Sequence, residues 1–413
     1  MNQPKLKIAI IGGGAAGFFA AFSAKKHHPD ADVVIFEKSS KTLSKVKISG
    51  GGRCNVTNSC SDIKELIKAY PRGEKKLRSV FSEFNTTDTV EWFESRGVPL
   101  VTQEDHCIFP KSQNSQSIID CFYNEIKRLS IEIKLSYGID KIQPLNQSFQ
   151  LISSRNNETF IVNKVIITTG GGTKLDSFNW LKEMDISIVP PVPSLFTFNM
   201  PKESITELMG IVVENAFVQI QGTKIKCNGP LLITHWGMSG PSILKASAYG
   251  ARVLADSNYN FSINVNWING RNESETRLEI EKLIKEHALK NIGNIRPFFI
   301  PERLWHFLLS KCTINLTTKW SQLGNKNINK IVHHLTNDNY QVEGKTTFKE
   351  EFVTAGGIDL NDVDMKTMQS KKIQGLYFAG EVLDIDGITG GFNFQAAWST
   401  GFIAGQLKNN YGK

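Results

Sequence analysis

Cysteine is scarce in this chain: six residues, Cys54, Cys60, Cys107, Cys121, Cys227 and Cys312, in 413. No two form a C-x-x-C pair and no histidine lies at zinc-finger spacing from them, which argues against a disulfide framework and against a metal site. Reduced thiols in a cytoplasm are the expectation. Long apolar runs are lacking too. The uncharged N-terminal stretch, residues 8–24, follows Lys5 and Lys7 in the manner of a signal peptide, but Gly12-Gly13-Gly14 interrupts it. That suits neither a signal helix nor a membrane span of about 20 apolar residues, so no membrane association is expected. No internal repeat is visible. Neither sign of charge dominates: 48 Lys and Arg stand against 40 Asp and Glu, a net +8. So mild a surplus suits an anionic ligand, an acidic partner or nucleic acid without choosing among them. Hydrophobic residues at 40% and charged residues at 21% exclude wholesale disorder. The length predicts two to three domains at about 150 residues each.

What is present in quantity is glycine, 33 residues, many in tight clusters. Residues 6–11, apolar apart from Lys7, read as a buried parallel strand. Gly12-Gly13-Gly14-Ala15-Ala16-Gly17 follows, a G-x-G-x-x-G match, and then an Ala-rich helix that His27-His28-Pro29-Asp30 breaks. Residues 32–36 (DVVIF) are a second strand ending at Glu37. Each part has a physical job. Gly12 permits the tight turn, Gly14 lets a pyrophosphate approach the backbone, and Gly17 lets helix and strand pack closely. The helix N-terminus offers free N–H groups to phosphates, and Glu37 can accept hydrogen bonds from ribose hydroxyls. An acid at that position argues against a ribose 2′-phosphate.

A second cluster spans residues 45–58, KVKISGGGRCNVTN. It combines consecutive backbone amides with Lys45, Lys47 and Arg53, which makes an anion cradle. Residues 63–96 read as helical with a break at Pro71-Arg72-Gly73, residues 98–109 as a hairpin, and residues 113–129 as a helix. Residues 131–160 read as short strands, and residues 162–169 as a buried strand running into Gly170-Gly171-Gly172. The Pro-rich stretch 189–193 suits a domain crossing. Beyond it, residues 194–268 read as β-rich, with a polar loop at 229–241, and residues 273–291 and 300–335 as helical. The last 60 residues return to the nucleotide theme: strand GLYFAG, then Glu381, then a glycine loop over 384–393, then an Ala-rich helix over 394–407. Two such distant segments imply a discontinuous nucleotide domain.

GGGAAG with Glu37, SGGGRCNVTN, VTAGGI and GLYFAGEVLDIDGITGGFNFQAAWSTG together resemble the bile-acid-reductase-like and aminoacetone-oxidase-like family of bacterial flavoproteins, within the glutathione-reductase-type FAD superfamily. The resemblance implies an α/β fold: a discontinuous Rossmann-like FAD-binding domain, with an inserted β-barrel-like subdomain and a small helical subdomain. On this chain the boundaries fall at 1–190 and 345–413 for the FAD domain and 191–344 for the insertion. Within the insertion, 191–270 with about 336–344 is β-rich and 271–335 is helical. The chain departs from the family at GGTKLDSFNWLKEMDI, where many members carry Gly-Ser-Thr-Gly-Asp-Gly.

The resemblance also implies roles. Gly12, Gly13, Gly14, Ala15, Ala16 and Gly17 hold the FAD pyrophosphate, and Glu37 holds the adenosine ribose, with Lys38 and Lys45 by that end. Ser49, Gly50, Gly51, Gly52, Arg53, Cys54 and Asn55 approach the ribityl chain and flavin. Ile139 touches adenine, and Thr169 and Gly170 line the same crevice. Gly380 and Glu381 bind ribityl or phosphate oxygens, and Asp384 belongs to the flavin loop. Gly391, Phe392 and Asn393 bring N–H groups and a helix dipole to the flavin's pyrimidine side. The implied activity is an FAD-dependent oxidoreductase of a small molecule, with non-covalent FAD. No second strand–G-x-G-x-x-G–helix unit is present, so NAD(P)H enters only as a transient reductant. No catalytic residue is assigned. His235, in a glycine-bounded loop, is a candidate for facing substrate; Cys54 with Cys60 is a weaker candidate dithiol. Nucleic acid is not expected as a partner. The alternatives are a flavoprotein acting on tRNA and a non-enzymatic flavin-binding redox module.

Overall fold

The computed structural model describes residues 5–172, 174–346 and 353–409. The fold is mixed α/β, and the chain divides into two compact units: Met1–Ser194 with Lys349–Lys413, and Leu195–Phe348.

The first unit is built on a parallel sheet. Lys7–Ile11 lies between Asp32–Glu37 and Lys164–Ile167, and these are flanked in turn by Glu132–Leu135 and Leu376–Phe378. Its inner strands are apolar runs because they are buried between helix Ala15–His27 and the antiparallel sheet Lys141–Leu145, Ser148–Ser153, Glu158–Val162. Ile8, Ala9, Ile10, Ile35, Val165, Ile166, Ile167 and Phe378 have essentially no exposed surface. The C-terminal strand pairs beside Lys164–Ile167, which returns the end of the chain to the sheet where it began. Helix Phe392–Gly405 then packs along helix Ala15–His27, with the Trp398 ring tilted against Phe19 at a centroid distance of 4.8 Å.

Two expectations for this unit change. The strand expected over 162–169 covers only Lys164–Ile167, while Val162 ends a strand of a neighbouring antiparallel sheet. Asn163 separates them: its backbone N–H donates to the Lys7 carbonyl and its side chain accepts from the Lys7 N–H. The Pro-rich stretch lies at the crossing, since the boundary between the units falls directly after Ser194, but it is itself a strand, Ile188–Ser194, paired antiparallel with Val353–Ile358. Its register shifts between Val189 and Val192, which accommodates prolines that cannot donate to a ladder.

The second unit holds a seven-stranded sheet in the order Asp338–Glu343, Asn260–Asn266, Val212–Ile220, Lys226–Thr234, Gly237–Ser239, Thr197–Asn199, Lys345–Thr346, antiparallel throughout. Residues 229–234, expected in a polar loop, belong to a strand. Helix Pro241–Asp256 stands inside the region expected to be β-rich. Its buried positions, Ile243, Ala246, Ser247, Gly250, Ala251 and Leu254, keep helical spacing but are mostly small, and Pro241 at its first position is a start signal. Helices Glu273–Glu286, Glu302–Lys311 and Asn325–Thr336 form the helical part, around buried Trp305 and Trp320. Among the described residues no helix is long and apolar enough to cross a membrane.

Candidate functional site

The carboxyl ends of three adjacent parallel strands open onto the glycine-rich segments of the first unit, the place where open α/β sheets collect ligands. Ile11 leads into Gly12, Ile167 into Thr168-Thr169-Gly170, and Phe378 into Gly380-Glu381. The Gly12 N–H donates to the Phe36 carbonyl at 2.8 Å, and Thr168 Oγ1 donates to the Gly12 carbonyl at 2.8 Å. Helix Ala15–His27 starts immediately after this turn. Gly14, Ala15 and Ala16 therefore stand at a helix N-terminus, where backbone N–H groups and the dipole favour an anion.

The glycines differ in what they do. A Cβ on Gly17 would collide with the Gly12 carbonyl oxygen and stand 2.9 Å from Thr168 Oγ1, so Gly17 is required for helix and strand to touch. A Cβ on Gly14 would meet nothing within 4 Å, and the same holds for Gly51, Gly52 and Gly170. The backbone at those positions faces open space. The room beside this helix N-terminus would admit a diphosphate.

Glu37 ends the second strand beside this turn. Its Oε2 accepts the Gly13 N–H at 2.8 Å, and its Oε1 accepts both the N–H and the hydroxyl of Ser39 at 2.8 Å. Those bonds fix the carboxylate and leave Oε2 a further lone pair for an incoming hydroxyl. Lys38 and Ile139 lie at this same end: the Tyr137 N–H donates to the Glu37 carbonyl, and Gly138 approaches the Lys38 side chain. Lys45, expected with them, instead pairs with Glu381 at 2.6 Å. The chain reaches that point through Leu43, whose N–H is tied to the Gly13 carbonyl. Glu381 also accepts the Thr354 N–H at 2.9 Å. A Cβ on Gly171 would collide with Thr354 and lie 2.8 Å from Glu381 Oε1, which ties the 170–172 run to Glu381.

The second glycine cluster is a helical turn that breaks at Ser49, after which Gly50, Gly51 and Gly52 all take positive φ. Arg53 shapes it rather than standing free. Its Nε donates to the Gly50 carbonyl at 3.1 Å and its guanidinium lies 4.2 Å from the Phe109 ring centroid. Lys47 donates to Gln116. Cys54 is completely buried, with its N–H on the Ser49 carbonyl. Burial pushes its thiol up to about 12, against a hydrogen bond with Ser49. Burial, aided by Asp62 and Glu65, also raises Cys60. Neither is the low-pKa thiol that dithiol chemistry uses.

Helix Phe392–Gly405 begins opposite. The Asn55 amide, oriented so that both of its ends are satisfied, accepts the Gly391 N–H at 3.1 Å and donates to the Thr57 carbonyl at 3.0 Å. The Asn393 side chain closes a two-way bond with Gly387, donating at 2.9 Å and accepting at 2.8 Å. What this helix end offers a ligand is therefore its first-turn N–H groups from Phe392 onward. The Asp384 N–H is held by the Ile358 carbonyl.

Several supporting residues were not foreseen. Arg72 and Ser194 both bond the buried carboxylate of Asp386. Tyr70 donates to the Phe392 carbonyl at 2.8 Å. Thr57 and Thr89 converge on Gln395 Oε1 at 2.5 and 3.0 Å. These residues are far apart in sequence and carry no local motif. His235, the candidate for facing substrate, occupies an exposed turn of the second unit against Trp236.

Comparison with known proteins adds a family. The HI0933-like protein Rossmann domain matches residues 6–407. The chain is 25% identical over 409 residues to a 3-dehydro-bile acid delta(4,6)-reductase of Clostridium scindens, covering 97% of this chain and 98% of that one. It is 27% identical over 418 residues to a ribosomal RNA dihydrouridine synthase of Escherichia coli, covering 96% of each. A 3-ketosteroid delta1-dehydrogenase structure from Sterolibacterium denitrificans superposes with a TM-score of 0.50 at 11% identity, over 96% of this chain and 98% of that one. That likeness concerns the fold.

Proposed function

This chain belongs to the HI0933-like Rossmann family of FAD-dependent oxidoreductases, and we propose that it saturates a C=C bond conjugated to a carbonyl, on a uracil ring of ribosomal RNA. The observation that carries the redox part is the cleft itself: open backbone at Gly14, Gly51, Gly52 and Gly170 beside a helix N-terminus and a fixed carboxylate. In this reading the amides at Gly14 to Ala16 bind the FAD pyrophosphate and Glu37 binds the adenosine ribose hydroxyls. Lys45 and Glu381 flank the middle of the cofactor. The first-turn N–H groups of Phe392 and Asn393 stabilise negative charge on the ring. When bound and reduced by NAD(P)H, FAD would supply a hydride to the carbon β to the carbonyl, and a proton from water would reach the α carbon as the double bond becomes single.

Two relatives point to the bond that reacts. The names dihydrouridine synthase and delta(4,6)-reductase both describe hydrogen added across a C=C conjugated to a carbonyl. RNA is favoured over a small molecule by the charge. Residues 288–337 carry seven Lys and Arg against one acid, Glu302, and of these Lys311 is paired with Asp338 just beyond; the remaining surplus would suit phosphates. The bile-acid name supports a second reading, a small-molecule enone, which narrows the unassigned small molecule that the resemblance implied.

Anaerobic stopped-flow mixing separates them. FAD-loaded protein reduced with NADH or NADPH is mixed with a ribosomal RNA transcript or with a 3-oxo-Δ4,6 steroid. Reoxidation by RNA, with dihydrouridine in the RNA digest, is expected. Reoxidation by the steroid alone selects the second reading, and a protein that binds no FAD overturns both.

A further inference from the structure

In the second unit Phe299 is 100% exposed. Its backbone lies in the left-handed region at φ 55, directly after Phe298 at φ 53. A bulky residue is disfavoured there, and two in succession persist only where their surroundings over-determine them. The surroundings do so. Pro297 and Ile300 are buried on either side, and Pro301 follows. The Phe298 ring packs toward the core of this unit, with the Arg271 guanidinium 5.0 Å from its centroid. The two left-handed residues thus send Phe298 inward and present Phe299 outward on a fixed tip. Folding gains nothing from an exposed phenyl ring that burial would stabilise, so the tip is not explained by the fold.

Near it in sequence cations outnumber acids, with Lys290, Arg296 and Arg303 against Glu302. Arg296 and Lys290 are exposed near the tip in sequence, and Arg271 is exposed beside Phe298. Of the seven cations in residues 288–337, only Lys311 is committed to a buried carboxylate. An aromatic face among Lys and Arg binds unpaired nucleotides: every base has a π-face to stack, and the cations neutralise the flanking phosphates. Leu289, 77% exposed, is the other strongly exposed apolar side chain of the segment. Two such side chains offer too little apolar surface to anchor on a bilayer, whereas one ring suffices for one base.

We propose that Phe299 is a stacking platform for an unpaired base of the RNA, with Arg271, Arg296 and Lys290 on the adjoining phosphates. This rests on the RNA reading given above.

The test uses the full-length FAD-loaded protein and a labelled ribosomal RNA transcript, with affinity read by fluorescence anisotropy across a salt series. Phe299→Ala should weaken binding about 5- to 150-fold with an unchanged salt slope, and Phe299→Trp should restore it. Arg271→Gln and Arg296→Gln should each lower the salt slope by about one. Flavin reduction by NAD(P)H and the melting temperature should be those of the parent in Phe299→Ala. If Phe299→Ala binds like the parent while the parent makes dihydrouridine, the platform is overturned and the RNA reading stands. If the parent does not bind RNA, both fall. Capture by phosphatidylserine vesicles in preference to RNA, lost in Phe299→Ala, also overturns the platform.

Discussion

Arg72 grips Asp386 through both carboxylate oxygens, Nε on Oδ1 and Nη2 on Oδ2, and Asp386 has no exposed surface. Ser194 donates to the same carboxylate at 2.6 Å. Burial pushes the Asp386 carboxyl above its usual range, with Arg72 and Ser194 pulling against it. The pair ties the glycine loop ahead of helix Phe392–Gly405 to the break between two early helices, where the Ile388 N–H also reaches the Ala69 carbonyl. Removing one partner strands a buried charge. Arg72→Ala should cost about 3–5 kcal/mol in urea unfolding, and Arg72→Met with Asp386→Leu should recover much of it. Both should lower FAD occupancy, since the loop sets where the helix begins. An Arg72→Ala variant as stable as the parent would show that the pair does not hold the loop.

Gly14 and Gly17 separate binding from folding. Gly14 has φ −95 and open space before it, so Gly14→Ala should fold with a melting temperature within a few degrees of the parent. Its methyl would occupy the pyrophosphate's approach, and FAD affinity should fall at least tenfold by fluorescence titration. Gly17→Ala places a methyl against the Gly12 carbonyl and should destabilise the unit by about 1–3 kcal/mol. If Gly14→Ala bound FAD as tightly as the parent, the pyrophosphate would not sit there.

The contrast between these two pairs shows what a sequence carries. The Gly12–Gly17 turn and Glu37 are legible because strand, turn and helix are contiguous and each glycine answers a local constraint. The Arg72–Asp386–Ser194 cluster is not, because Arg72 and Asp386 are brought together only when both ends of the chain join one sheet. The strand Ile188–Ser194 was hidden by its prolines, and helix Pro241–Asp256 by its small residues. For Asn393 the sequence suggested a backbone N–H; what it did not reveal is that the side chain is committed to Gly387.

Cys54 sits within the glycine-rich cradle yet is chemically quiet. With burial raising its thiol to about 12, the thiolate fraction at pH 8 is about one in ten thousand. Iodoacetamide at that pH should leave Cys54 unmodified in the native protein and label it in denaturant, as read by peptide mass spectrometry. Half-buried Cys60 should react first. Fast native labelling of Cys54 would revive a dithiol role.

In the second unit Asp338 has no exposed surface and accepts from Lys311 at 2.5 Å, His334 at 2.8 Å and Trp267 at 3.1 Å, and from Tyr340. Burial alone would raise its carboxyl, but the bonds from His334, Lys311 and Tyr340 outweigh it and hold the carboxyl below the usual aspartate range. A depressed folded value means that the unfolded chain binds the proton more readily. The resulting stability is therefore complete above the unfolded value of about 3.9 and is lost as pH falls through the folded value. Asp338→Asn should cost about 3–5 kcal/mol at pH 7, because Lys311 loses its counter-charge. Urea unfolding from pH 7 down to pH 3 should show that cost constant to about pH 4.5 and shrinking below it. A difference independent of pH throughout would mean that the carboxylate contributes shape and not charge.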